Sequence, residues 1–214
     1  MAASGEFEPE SERVTRHLRD EILDGVRPPG SKLVERELAA QLGVSRVPVR
    51  DALRALVAEG LVTPRPRTWA IVREFTASDV ADLTEVRAAL EVLTFRLAAE
   101  RRTRDGLARL RARLDEELAA VRAGDAVAAR RAAADFHETV TELADNEVLT
   151  ELATIWRSRM RWLLGQHDHH LDMAEDHELL YGAIAERDTT LVEELVVRHL
   201  EHSRRAIADH RREA

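Results

Sequence analysis

Nine histidines and no cysteine bound the chemistry open to this 214-residue chain. Disulfides and thiolate metal sites are excluded, which suits a reducing compartment, and any metal must be held by imidazole or carboxylate. His137, His177 and His199 fall at helical positions on three different C-terminal helices, so a bundle can bring them together. Imidazole suits a divalent transition metal such as Zn or Ni, and three protein ligands leave a position for water or a ligand carboxylate. Helical histidines are also ordinary surface or core residues, and that reading stands beside the metal one. The segment His167-Asp168-His169-His170, just past Gly165, reads as a solvated loop.

A second set of residues has the type and spacing to meet nucleic acid. Arg46, Arg50 and Arg54 recur every four residues and border an apolar stripe of Val49, Ala52, Leu53, Leu56 and Val57, which follows helical spacing. Ser45 can cap this helix, and Pro48 falls in its first turn, where a missing N–H costs nothing. Just before it, residues 35–42 read as a second short helix and Gly43-Val44 as the turn between them, the order of a helix-turn-helix. After it, residues 60–63 and 69–72 are β-type runs flanking Pro64-Arg65-Pro66-Arg67. They predict a two-stranded wing whose basic tip includes Arg67. The net charge of −8 does not oppose DNA binding, because it is unevenly spread. Residues 11–75 hold 12 basic against 9 acidic side chains, whereas residues 76–214 hold 20 against 28.

The elements that must position these groups divide the chain in two. Residues 1–10 read as a flexible N-terminus, 11–75 as a winged helix-turn-helix DNA-binding domain, and 76–214 as an all-helical bundle. The fold class is therefore mainly α. Thr76-Ala77-Ser78-Asp79 has the pattern of a capping box, and the helices are predicted at about 77–101, 104–122, 126–144, 147–164, 172–186 and 189–210. Gly124-Asp125, Asn146, Gly165 and Asp188 supply the stops and caps between them. Neither a secretory leader nor a run of about 18 apolar residues is present, so no membrane association and a cytoplasmic location are expected.

Residues 29–39, 42–53 and 59–62 together resemble the GntR family of transcriptional regulators, in the FadR-type branch that carries an all-helical FCD effector-binding domain. The resemblance implies that Arg36, Ser45, Arg46 and Arg50 contact double-stranded operator DNA. Arginine forks suit guanine edges and phosphate oxygens. The wing departs from the family pattern, with Thr68-Trp69 in place of an Arg-Gly turn. The segments around His137, His177 and His199 look like those that carry the FCD metal histidines. The family's aspartate ligand, four residues before the first histidine, is here Ala133. Asp135 lies about 200° around the helix and cannot simply take its place. Two expectations stay open, a three-histidine site of weaker affinity or a relict pocket. Arg87 is implied to face the effector cavity and meet a carboxylate; a surface ion pair with Glu91 at i+4 is the alternative.

Together these readings give a homodimer that presents two recognition helices to a palindrome and responds to a small-molecule effector, a carboxylate by resemblance, without catalysis. The rival from another class is a helical metal-dependent hydrolase using His137, His177 and His199, but no general base is evident.

Overall fold

A computed structural model describes residues 8–65 and 69–213. The chain divides between Phe75 and Thr76 into two compact units. In the first, α1 (Glu10–Leu23), β1 (Lys32–Val34), α2 (Glu35–Leu42), α3 (Arg46–Ala58), β2 (Val62–Arg65) and β3 (Trp69–Val72) follow in order. Val14, Leu18 and Ile22 of α1 and Val49, Ala52, Leu53 and Leu56 of α3 are buried, the apolar stripe of α3 turning inward as its spacing requires. Burying each of the valines, leucines and the isoleucine contributes roughly 1.5–3 kcal/mol. The inward stripe leaves Arg46, Arg50 and Arg54 on the exposed side.

The sheet has three antiparallel strands in the order β1-β3-β2, with Leu33 and Pro64 both opposite Ala70. This extends the expected two-stranded wing by a strand of three residues, too short to register as a pattern of alternation. Gly43 closes α2 at φ 66°, the left-handed conformation that glycine adopts without strain. Ser45 occupies the N-cap of α3 but makes no side-chain capping bond, so its hydroxyl is left exposed. The wing tip at 66–68, with Arg67 and Thr68, lies outside the described residues.

The second unit is a bundle of α4 (Ala77–Arg101), α5 (Arg104–Ala123), α6 (Ala126–Leu143), α7 (Glu147–Leu164), α8 (His170–Glu186) and α9 (Thr189–Glu213). Its boundaries follow the capping chemistry. Thr76 and Asp79 form the reciprocal capping box, Asp125 and Asn146 accept from Ala128 and Leu149, and Asp188 accepts from Leu191. Phe95, Leu110, Leu114, Phe136, Leu180, Ile184 and Val196 build the core. Among the described residues no helix is long and apolar enough to cross a membrane.

Candidate metal centre and nucleic-acid interface

α6, α8 and α9 bring His137, His177 and His199 together, with one ring nitrogen of each within 4.8 Å of the others. All three are buried, at 8%, 1% and 1% exposure. Phe136 stacks on the His177 ring at 4.5 Å between centroids, which fixes its plane.

Each ring has a carboxylate behind it. Glu117 Oε2 lies 2.8 Å from His177 Nδ1, Glu91 Oε1 lies 3.0 Å from His137 Nδ1, and Asp176 Oδ2 lies 3.5 Å from His199 Nδ1. On the opposite side His177 Nε2 lies 3.2 Å from His137 Nε2, and His199 Nε2 lies 3.1 Å from Arg87 Nη2. A carboxylate on one nitrogen and an inward lone pair on the other is how metal-binding histidines are oriented.

Proton placement tests the fit to a cation. A carboxylate accepts from His177 Nδ1–H, which leaves His177 Nε2 bare. Arg87 can only donate, so its Nη2, 3.1 Å from His199 Nε2, requires a bare nitrogen there too. His137 then faces acceptors on both sides, Glu91 on one and His177 Nε2 on the other. A neutral imidazole has one proton for the two. A cation shared by the three rings removes the conflict, since no ring then has to supply a proton to another; His137 Nδ1 and His199 Nδ1 are buried without a hydrogen bond, although Glu91 Oε1 and Asp176 Oδ2 lie 3.0 Å and 3.5 Å away. The residues therefore fit a divalent ion. They fit in charge as well: Glu91, Glu117 and Asp176 surround the rings, whereas Arg87 is the buried guanidinium among them.

Protonation states agree with this geometry. Burial pushes His199 down to about 3 despite the opposing Asp176 carboxylate. Burial lowers His137 as well, against the pull of Glu91. Burial would raise Glu91, but Arg87 and His137 outweigh it and hold the carboxyl well below the usual carboxylate range. Neutral imidazoles are what a metal ligand needs at neutral pH.

Arg87 is 1% exposed and donates to Ser203 Oγ at 2.7 Å as well as to His199, with its Nε 3.0 Å from Glu91 Oε1. The ion pair with Glu91 thus forms, but in the interior and not on the surface. A cavity of about 190 Å³ between α4, α6 and α7 has Glu91 and His137 on its wall beside Leu90, Phe95, Trp156 and Met160. Asp135 points elsewhere and pairs with Arg161. Ala133, at the family's aspartate position, is half-buried.

The expected solvated loop at 167–170 is corrected in part. Asp168 and His169 are exposed, but His167 is 5% exposed and its ring lies 5.5 Å from that of His170, which opens α8. His167 Nδ1 and His170 Nε2 are buried without a hydrogen-bond partner. The backing of the histidines by carboxylates has little local signal: Glu117 lies 60 residues from His177, Glu91 shows in the sequence only as the i+4 partner of Arg87, and Asp176 adjoins His177 but backs His199.

On the first unit, Arg36, Ser45, Arg46, Arg50 and Arg54 are all exposed. Val47 joins them at 62% exposure, unexpected for an apolar residue and invisible to periodicity. Arg46 and Arg50 both meet Glu35 of α2, and Arg54 meets Asp51.

Two family models match this architecture, the gntR family of bacterial regulatory proteins over residues 10–72 and the FCD domain over residues 82–202. The chain belongs to the GntR family. A probable D-xylose utilization operon transcriptional repressor of Paenarthrobacter nicotinovorans is 30% identical, with 89% of each chain covered. The transcriptional regulator LutR of Bacillus subtilis is 31% identical over 84% of this chain and 92% of its own. Among solved structures, a GntR regulator from Rhodococcus sp. RHA1 superposes with a TM-score of 0.81 at 26% identity, covering 93% of this chain and 97% of that one. Escherichia coli McbR/YncC shares the fold at a TM-score of 0.82 and 23% identity, over 95% and 99% of the two chains. This GntR chain is thus a DNA-binding transcription regulator with a helical FCD domain.

Proposed function

We propose that the protein is a cytoplasmic homodimer that binds a palindromic operator, holds a divalent transition metal such as Zn or Ni on His137, His177 and His199, and changes its DNA affinity when a small carboxylate effector enters the C-terminal unit. The observation that carries this reading is the three buried imidazoles, one nitrogen of each within 4.8 Å of the others and a carboxylate near each Nδ1. The metal, when bound, supplies a Lewis-acidic position that a ligand carboxylate can fill. Arg87 Nη2, now 3.1 Å from His199 Nε2, would be free to donate to the same carboxylate if His199 held a metal through that nitrogen. The neighbouring cavity has room for the body of a small molecule.

Arg36, Ser45, Arg46, Arg50, Arg54 and the wing's Arg67 are the DNA-facing set, with arginines reading guanine edges or phosphates and Val47 suited to a thymine methyl. Dimerisation is supported by Val148, Leu152 and Ile155, which recur at helical spacing along α7 and are 42–69% exposed.

Thermal melting of metal-stripped protein with added Zn²⁺ or Ni²⁺ tests the reading. At a hundredfold excess over Kd the gain is about 2.7 kcal/mol, or roughly 5–10 °C for a chain of this size. His199→Ala abolishes it. An unchanged melting temperature with both ions, and none co-purified, refutes the metal centre.

A further inference from the structure

Glu35 is the first residue of α2, yet its carboxylate serves the next helix. Oε1 accepts from Arg50 Nε at 3.2 Å, and Oε2 accepts from Arg50 Nη2 at 3.2 Å and from Arg46 Nη2 at 3.1 Å. Its side chain is 12% exposed, against 51% for Arg46 and 46% for Arg50. An acid enclosed by the two cations proposed to meet DNA is unfavourable for binding a polyanion, unless it has a task there. The Arg50 hydrogen bonds hold Glu35 below the usual carboxylate range, so it stays charged at neutral pH.

A guanidinium offers two forks, one along its Nε–Nη2 edge and one at its Nη1–Nη2 end. Glu35 takes the first from Arg50. What remains is the terminal fork, held in one orientation and suited to the paired acceptors of a guanine. The same carboxylate competes with phosphates for Arg46 and Arg50 and repels them.

We propose that Glu35 is a specificity-determining positioning residue: it aims Arg50 at a base edge and keeps Arg46 and Arg50 from gripping the DNA backbone indiscriminately. This rests on the reading that α3 lies against operator DNA. It names an acid within the interface as the source of discrimination, where the resemblance and charge pattern point to the arginines.

The test uses the full-length parent, Glu35→Gln, Arg50→Ala and the double variant. Each is titrated at several salt concentrations with a duplex enriched by the parent from a randomised pool and with a scrambled duplex of equal length. Glu35→Gln is expected to bind the scrambled duplex more tightly, with a salt dependence steeper by about one to two phosphate contacts. The ratio of enriched to scrambled affinity is expected to fall by about tenfold, the lower end of what one bidentate base contact discriminates. In the Arg50→Ala background most of that change in ratio disappears. A Glu35→Gln variant that shifts both affinities by the same factor, or neither, overturns the inference even where Arg50→Ala weakens the enriched duplex. If Arg50→Ala leaves the enriched duplex unaffected, the placement of α3 fails first and the inference with it. Melting of Glu35→Gln close to that of the parent excludes a folding defect.

Discussion

Arg50 and Arg87 are each paired with a glutamate of their own unit, yet Arg50 is 46% exposed and Arg87 is 2% exposed. Water and salt screen the first pair, so breaking it costs the fold little, while Arg50 keeps its terminal fork free for a base edge. The second pair has no water to fall back on. Arg87 faces Glu91, His199 and Ser203, and removing any charge there leaves another buried without its partner. The difference teaches that burial, more than residue type, separates a cation free to meet a ligand from one on which the fold depends. It also explains how a chain with net charge −8 can bind DNA. Much of its acidity lies in residues 76–214, which hold 20 basic against 28 acidic side chains, and not in residues 11–75.

The comparison breaks most visibly if Arg87 turns out to be dispensable. In metal-stripped protein, Arg87→Met is expected to cost about 3–5 kcal/mol, because Glu91 is left as an uncompensated buried charge. Arg50→Met should melt close to the parent. Denaturant unfolding of both variants measures the contrast, and equal midpoints would show that the interior accommodates a lone carboxylate.

Ala133→Asp sharpens the same point with a change of sign. Position 133 lies one turn before His137 on α6 and is half-buried. Without metal, a fourth carboxylate joins Glu91, Glu117 and Asp176 and should lower the melting temperature. With Zn²⁺ or Ni²⁺ it supplies the missing oxygen ligand and should tighten binding by roughly tenfold, about 1.4 kcal/mol. A variant stabilised in the stripped state, or one whose metal affinity is unchanged, contradicts this account of the charge balance.

What the sequence made legible follows from how local each signal is. Helix ends at Thr76, Asp125, Asn146 and Asp188 were readable because a cap and the backbone N–H that donates to it lie within three residues of each other. The three histidines were readable by their type and by resemblance. Their backing carboxylates were not, since Glu117 and His177 lie 60 residues apart and Glu91 and His137 are joined only by packing of α4 on α6. Glu35 escaped notice for the same reason, as the turn at Gly43 brings it back onto α3 from 15 residues before Arg50. β1 escaped because three residues carry too little pattern.

One four-residue segment contains both kinds of environment, and its effect grows from small near neutral pH. Asp168 and His169 are exposed, whereas His167 is buried and pushed down to about 3, by burial first and then by the nearby charges of His170, Arg87 and His169, with Asp168 opposing. In the unfolded chain the same imidazole titrates near 6.5. Below that pH the unfolded state binds a proton that the folded state refuses, so stability is complete above 6.5 and falls as the medium is acidified. Between pH 7 and pH 6 the loss from this one group is somewhat under 1 kcal/mol, and it approaches about 1.4 kcal/mol per pH unit further down. His137 and His199 are depressed too, so the parent's slope alone does not isolate His167. The informative quantity is the difference between the parent and His167→Gln, measured by denaturant unfolding of stripped protein at pH 7, 6 and 5. The parent is expected to lose more stability than the variant over that range, by an amount that grows as pH falls. Parallel profiles would mean that His167 takes up its proton in the folded state, and that this corner of the bundle is as open to water as the loop beside it.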